Sequence, residues 1–441
     1  MRKAVLILGT GALVWSCSGD DTASPVDQQD AGADGQQDSG AITADGSTDA
    51  PELDAGTDAE LDAGTDAELD AGPDAELDAS ADAEVDAGTD AEVDAGTDAG
   101  DGGSPCDPSL GQVCDGGPYN FAFITSQKFV PGTLTPEQAD AKCEELAHAA
   151  GLTGSYVAWR SSSTSDVRDR LGSASGWLRT DGRPFALDAT ALYAGDIKYP
   201  LVVDELGQLT TGDIVPTGTE ADGRAASATC NDWTDATEGA HAFGGASFAG
   251  DDRWTIGFQL SCDEPARLYC LGIDHATPIT LPPPPTNARR AFITKGSLAG
   301  NAGRDAADAL CASEASSNGL TGTYVALMAT STEPAASRFD GTKPVWFRTD
   351  GLPLWTAAAD LLAGKTPLLP LNRHADAAVA GLTVFAWTGA VDPSKAADAN
   401  CDDWQLDSAD GGYAFPGYLI DWFRSGVSKC TANRNVYCLE Q

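Results

Sequence analysis

Eleven cysteines and two Cys-x-Asp-Trp phrases are the residues of this 441-residue chain whose types and spacing could do chemistry. No two cysteines form a C-x-x-C pair and the chain has four histidines in all, so a zinc site, which needs close thiolate pairs or companion imidazoles, is not expected. Setting Cys17 aside, the other ten fall into even blocks: Cys106 and Cys114; Cys143, Cys230, Cys262 and Cys270; Cys311, Cys401, Cys430 and Cys438. Even blocks point to disulfides formed in an oxidising compartment, and leave no thiol for nucleophilic work. Asp232-Trp233 and Asp403-Trp404 each follow a cysteine closely. A carboxylate beside an indole can form a polar group next to an aromatic platform, as in many sugar and peptide sites, so these four are the candidate ligand-binding residues. The other reading is structural, with the tryptophan in the core and the aspartate capping a turn. No G-x-S-x-G, H-E-x-x-H or Gly-rich phosphate loop is present, so neither an enzyme nor a cofactor is expected.

Cys17 has a different expected fate. Arg2 and Lys3 precede an uncharged stretch, residues 4–14, too short to span a bilayer as a helix but suited to a signal-peptide core. Val14, Trp15, Ser16 and Cys17 resemble a bacterial lipobox, with Trp15 where a small or aliphatic residue is usual. The resemblance implies lipidation at Cys17 and an anchor in the outer membrane or at the cell surface; the other reading is an ordinary signal peptide with an incidental cysteine.

Residues 18–105 contain 27 acidic residues, no lysine or arginine and no aromatic residue. This composition cannot offset the entropy of ordering, so a disordered, self-repelling stalk is expected, longer than the roughly 50 Å span of a flexible coil. An eight-residue unit, D-A-G-T-D-A-E-L with variations, recurs within it. Loose calcium binding is the sharper reading, although the D-x-D-x-D-G loop is missing. The net charge of −41 offers no footprint for nucleic acid. Residues 106–118, with Pro108 and Gly111 between Cys106 and Cys114, read as a small disulfide staple.

The remainder is an internal repeat, residues 119–273 and 290–441, divided at 274–289 by a linker whose prolines, Pro282 to Pro285, favour an extended, semi-rigid form. F-A-F-I-T from Phe121 answers to R-A-F-I-T from Arg290, G-L-T-G-S-Y-V-A from Gly151 to G-L-T-G-T-Y-V-A from Gly319, and R-T-D-G recurs at Arg179 and Arg348. Cys230 to Trp233 answers to Cys401 to Trp404, and Leu268 to Leu271 answers to Val436 to Leu439. Each half reads as α+β. Thr135, Pro136 and Gln138 form a capping-box start. The helix carries Ala139, Cys143, Leu146, Ala147 and Ala150 on one stripe and ends at Gly151; Ala307, Leu310, Cys311 and Ala315 form the second stripe, ending at Gly319. Strands are expected at 156–159, 324–328 and 384–387, and hairpin turns at Asp181-Gly182 and Asp350-Gly351.

Four cysteines per half, the first on the first helix and the last on the final strand, resemble the C-type-lectin-like fold. The repeated phrases G-L-[ST]-G-x-Y-x-A, R-T-D-G, C-x-D-W and x-Y-C are similar to those of a bacterial surface-lipoprotein domain family of unknown function with an endostatin-like variant of that fold. The resemblance implies two tandem domains with pairings Cys143–Cys270, Cys230–Cys262, Cys311–Cys438 and Cys401–Cys430. It brings no ligand. Sugar-binding members hold calcium with W-N-D before the third cysteine, whereas Trp254 to Ser261 and Asp421 to Lys429 lack it here. The expected function is a calcium-independent binding or adhesion module for an extracellular polysaccharide or protein, with tandem copies giving avidity. A structural envelope component is the alternative.

Overall fold

The computed structural model describes residues 106–210 and 212–441. The signal segment, the Cys17 lipidation site and the acidic repeats lie outside them. The described residues are mixed α+β with five disulfides.

In the first half, β1 (Asn120–Ile124) is followed by α1 (Pro136–Ala149), β2 (Tyr156–Ala158), β3 (Trp177–Arg179) and β4 (Pro184–Ala186). Then come β5 (Ile214–Pro216), β6 (His241–Ala246), β7 (Phe258–Ser261) and β8 (Tyr269–Gly272). One sheet has the order β2-β8-β1-β3-β4; β5, β6 and β7 form a second, antiparallel one. The capping box is present: the Thr135 hydroxyl accepts from the Gln138 amide, and the Thr135 amide donates to Gln138 Oε1 at 2.9 Å. The buried stripe is Ala139, Cys143, Leu146 and Ala147, with Ala150 at its margin. Cys143 thereby faces the sheet, where Cys270 sits between Phe123 of β1 and Ala158 of β2, and the two are joined. Asp140 makes a second tie, accepting from the Ala158 amide at 2.7 Å and pairing with Arg170.

The second half repeats this plan. Its elements are β9 (Arg289–Ile293), β10 (Leu298–Ala299), α2 (Arg304–Ser317), β11 (Tyr324–Ala326) and β12 (Trp346–Arg348). They continue with β13 (Ala386–Trp387), β14 (Asp410–Ala414), β15 (Gly426–Lys429) and β16 (Asn433–Glu440). Cys438 lies between Phe292 and Ala326 and bonds to Cys311 of α2, and Asp308 accepts from the Ala326 amide at 2.8 Å. On a chain-entropy account, itself debated, closing each 127-residue loop constrains the unfolded chain by about 4–5 kcal/mol. The halves differ in their last strand. β16 is eight residues long against four for β8, and pairs with β9 and β11 near one end and β13 near the other, so the two sheets of the first half are fused into one.

The strands at 156 and 324 stop at Ala158 and Ala326, and the one expected over 384–387 is confined to β13. The proline linker does not stand free. The Ile279 amide donates to the Leu187 carbonyl at 2.8 Å, and Leu281 packs on the core of the second half. The staple is likewise docked: the Val113 amide donates to Gly182 at 3.0 Å and Arg183 Nε to Leu110 at 2.8 Å.

The two halves form one compact unit. Tyr199 of the first is buried in the core of the second. Ala249 and Tyr418 form an antiparallel bridge, the Gly250 amide donates to the Gly417 carbonyl at 2.8 Å, and Asn372 Nδ2 donates to the Gly250 carbonyl at 2.7 Å. A Cβ at Gly417 would strike Asp251 Oδ2, so a side chain there would displace the Asp251 carboxylate. Below it lies an ion cluster. Arg348 grips Asp350 through Nε at 2.8 Å and Nη2 at 2.7 Å. Lys198 from the first half lies 3.3 Å from Asp350 and 3.0 Å from Asp196, and Arg373 pairs with Asp196 and lies 3.3 Å from Asp350. Burial alone would raise the Asp350 carboxyl, yet Arg348, Lys198 and Arg373 together hold it below the usual carboxylate range.

Asp350→Ala strands cations in the interface and is expected to cost about 3–5 kcal/mol at pH 7, read from urea unfolding. A depressed folded pKa gives stability that is fully present above the unfolded value, about 4, and is lost as pH falls through the folded one. The gap between wild type and variant is therefore expected to narrow at pH 3; a gap unchanged between pH 7 and pH 3 would contradict the assignment.

Candidate functional site

The C-x-D-W phrases adopt a backbone that their composition does not announce. Cys230, Asn231, Asp232 and Trp233 have φ of 53°, 51°, 54° and 65°, and Cys401, Asp402, Asp403 and Trp404 have 57°, 51°, 52° and 66°. Each is one turn of left-handed helix, closed by the Trp233 amide on the Thr229 carbonyl at 2.8 Å and the Trp404 amide on the Asn400 carbonyl at 2.6 Å. For L-residues this conformation costs about 1–2 kcal/mol each, or about 4–8 kcal/mol per turn. Several contacts offset it. Cys230 is bonded to Cys262, just after β7, and Cys401 to Cys430, just after β15. Trp233 and Trp404 are 1% and 0% exposed. Burying an indole removes enough apolar area to contribute about 4–6 kcal/mol. Trp233 Nε1 donates to Ser161 at 2.7 Å and Trp404 Nε1 to Ala329 at 2.8 Å, which anchors each ring beside the loop that follows β2 or β11.

The aspartates fasten the other side of that loop. Asp232 accepts from the Ser163 amide at 2.7 Å and from its hydroxyl; Asp403 accepts from the Ser331 amide and hydroxyl, both at 2.7 Å, and from Asn400 Nδ2 at 2.6 Å. The Ser163 hydroxyl and amide hold the Asp232 carboxyl below the usual range, and the Ser331 amide and hydroxyl do the same for Asp403.

The four candidate residues are thus brought together in pairs, but as braces. Trp233 is no platform: the Arg160 guanidinium covers its ring at 3.8 Å from the centroid, and reaching either indole would require opening the core. What the turns leave exposed is Asn231 in the first half and both Asp402 and Asp403 in the second. In the first half Asn231 and Asp232 border an open groove of about 520 Å³, with Ser163, Thr229, His241 and Gln259 also on its walls. His241 comes from β6 and Gln259 from β7, so the antiparallel ladder and the Cys230–Cys262 bond set their distance from the turn. No motif marks these residues; the only signal was polar residues on strands that flank a cysteine. Among the described residues, no three His, Cys, Asp or Glu side chains converge to hold a metal ion, and no helix is long and apolar enough to cross a membrane.

No protein-family model matches this chain, and no curated protein matches it.

Two adjacent substitutions separate strain from bracing. Asp402 makes no side-chain hydrogen bond among the described residues, so Asp402→Gly relieves a left-handed φ and is expected to stabilise by up to about 1 kcal/mol. Asp403→Gly removes the Ser331 and Asn400 bonds and is expected to destabilise by about 1–3 kcal/mol, both read from denaturant midpoints.

Proposed function

We propose that this chain is a surface-tethered recognition protein whose two tandem C-type-lectin-like domains, of the endostatin-like kind found in bacterial surface lipoproteins, take glycan chains of extracellular polymers without calcium. A helix cysteine bonded to the last strand in each half and a long loop region closed by the second disulfide support that fold reading. In the same reading, lipid on Cys17 anchors the chain in the outer membrane and the acidic repeats give reach.

The observation that carries the glycan reading is the groove beside the first left-handed turn. Its walls offer hydroxyls from Ser163 and Thr229, amides from Asn231 and Gln259 and the imidazole of His241. Side chains that both donate and accept suit a surface of sugar hydroxyls. Strained backbone held by its surroundings is a feature of functional sites, and here the strain supports the groove.

A glycan array probed with the full chain, with calcium and again with chelator, tests this. The expected result is binding that survives chelation and falls about threefold to tenfold in Asn231→Ala and Gln259→Ala. Loss of binding with chelator would replace the reading with a calcium-dependent one, and no binding to any glycan would favour a structural envelope role.

A further inference from the structure

A second concavity lies where the two halves meet, away from both left-handed turns. Phe248 and Phe258 of the first half face Phe385, Phe415 and Tyr418 of the second across a cavity of about 410 Å³. Phe248 meets Tyr418 edge to face with centroids 5.2 Å apart, and Phe385 meets Phe415 at 4.9 Å. One face of each second-half ring already carries a guanidinium, Arg253 over Phe415 at 5.4 Å and Tyr418 at 4.6 Å and Arg434 over Phe385 at 4.9 Å, and the volume falls within the range of small-ligand pockets. At the mouth, Leu382 and Ile420 are 45% and 40% exposed, apolar surface that an occupant would cover.

The charges determine what that occupant is. Arg253 lines the cavity, with its guanidinium 4.6 Å from the Tyr418 ring. It is already spent: Nε donates to Asp251 at 2.9 Å and Nη2 pairs with the same carboxylate, so together they carry no net charge. Asp421 also lines the cavity, and its carboxylate makes no hydrogen bond or ion pair among the described residues. An aromatic chamber with one unpaired carboxylate at its edge suits a cation with an apolar body: the rings, whose quadrupoles Arg253 and Arg434 already engage, supply apolar contact, and the carboxylate supplies the charge. We propose that the cavity between the halves is a binding site for an organic cation with an apolar body, the ammonium directed to Asp421 and the body held by Phe385, Phe415 and Tyr418. Both halves build this site, so it exists only in the joined pair and is independent of the glycan groove.

Three probes of matched shape test the assignment by calorimetry on the full chain: 3-phenylpropylammonium, 3-phenylpropan-1-ol and 3-phenylpropanoate. The cation is expected to bind at least about fivefold more tightly than the alcohol, and the anion most weakly. Asp421 is exposed and has a φ of 55°, which asparagine tolerates, so Asp421→Asn keeps the fold. It is expected to bring the cation down to the affinity of the alcohol without changing the alcohol. Phe385→Ala is expected to weaken all three probes. Failure of wild type to bind any probe, equal affinity for cation and alcohol, preference for the anion, or an Asp421→Asn protein that still favours the cation would each overturn the proposal.

Discussion

A carboxylate that is 9% exposed and flanked by three cations is the constraint on which the arrangement of this molecule depends. Asp350 is supplied by the second half together with Arg348 and Arg373; Lys198 and Asp196 come from the first. Removing any of these charges from water is expensive, and their mutual attraction offsets that cost only in the assembled geometry. Such a cluster adds little net stability but penalises every arrangement that separates the halves. The surrounding contacts are consistent with it. Tyr199 sits in the core of the second half and Ala249 pairs with Tyr418. The aromatic cavity is a consequence, since neither half alone has both of its walls.

The same four-residue phrase serves two different ends. In each R-T-D-G turn the arginine grips the aspartate two residues on, reaches a proline carbonyl, Pro200 or Pro370, at 2.8 Å, and the threonine hydroxyl caps a carbonyl, that of Asp204 or His374. That unit is self-contained, so duplication could carry it intact. What changed is the company of the aspartate. Asp181 takes Arg183, and its carbonyl takes Gln112 of the staple at 2.7 Å, whereas Asp350 takes Lys198 and Arg373.

Local signals were readable from the chain and distant ones were not. Thr135 and Gln138 act within one turn of each other, so the helix start was legible, as were the Asp-Gly hairpin turns and the inward face of Cys143 and Cys311. Lys198 and Asp350 stand 152 residues apart. Nothing near Asp350 signals that a lysine from the other half will reach it, and the R-T-D-G phrase accordingly reads as turn chemistry alone. The prolines of the linker favour an extended chain, but its packing depends on Ile279 and Leu281, which look like any apolar residues in a loop. The C-x-D-W phrases fall between these cases. Asn and Asp tolerate a left-handed backbone, but Cys and Trp do not, and the disulfide, the buried indole and the aspartate brace together hold all four there.

Duplication kept that frame and changed the surface it supports. In the first half, the strands beside the turn pair His241 with Ser261, and His241 faces the groove. The corresponding rung in the second half pairs Asp410 with Lys429, which form an ion pair at 2.9 Å. Asn231 is replaced by Asp402 at the exposed corner of the turn. A wall of hydroxyl, amide and imidazole groups beside the Asp232 carboxylate has thus gained an ion pair and a further carboxylate, over a turn whose φ values differ by only a few degrees. The disulfides, the indoles and the aspartate braces hold the turn in both halves, while the outward residue differs, Asn231 in one and Asp402 in the other. The two halves are therefore better understood as one mould carrying two unlike faces than as two copies of one site, and each disulfide fixes the position of a wall.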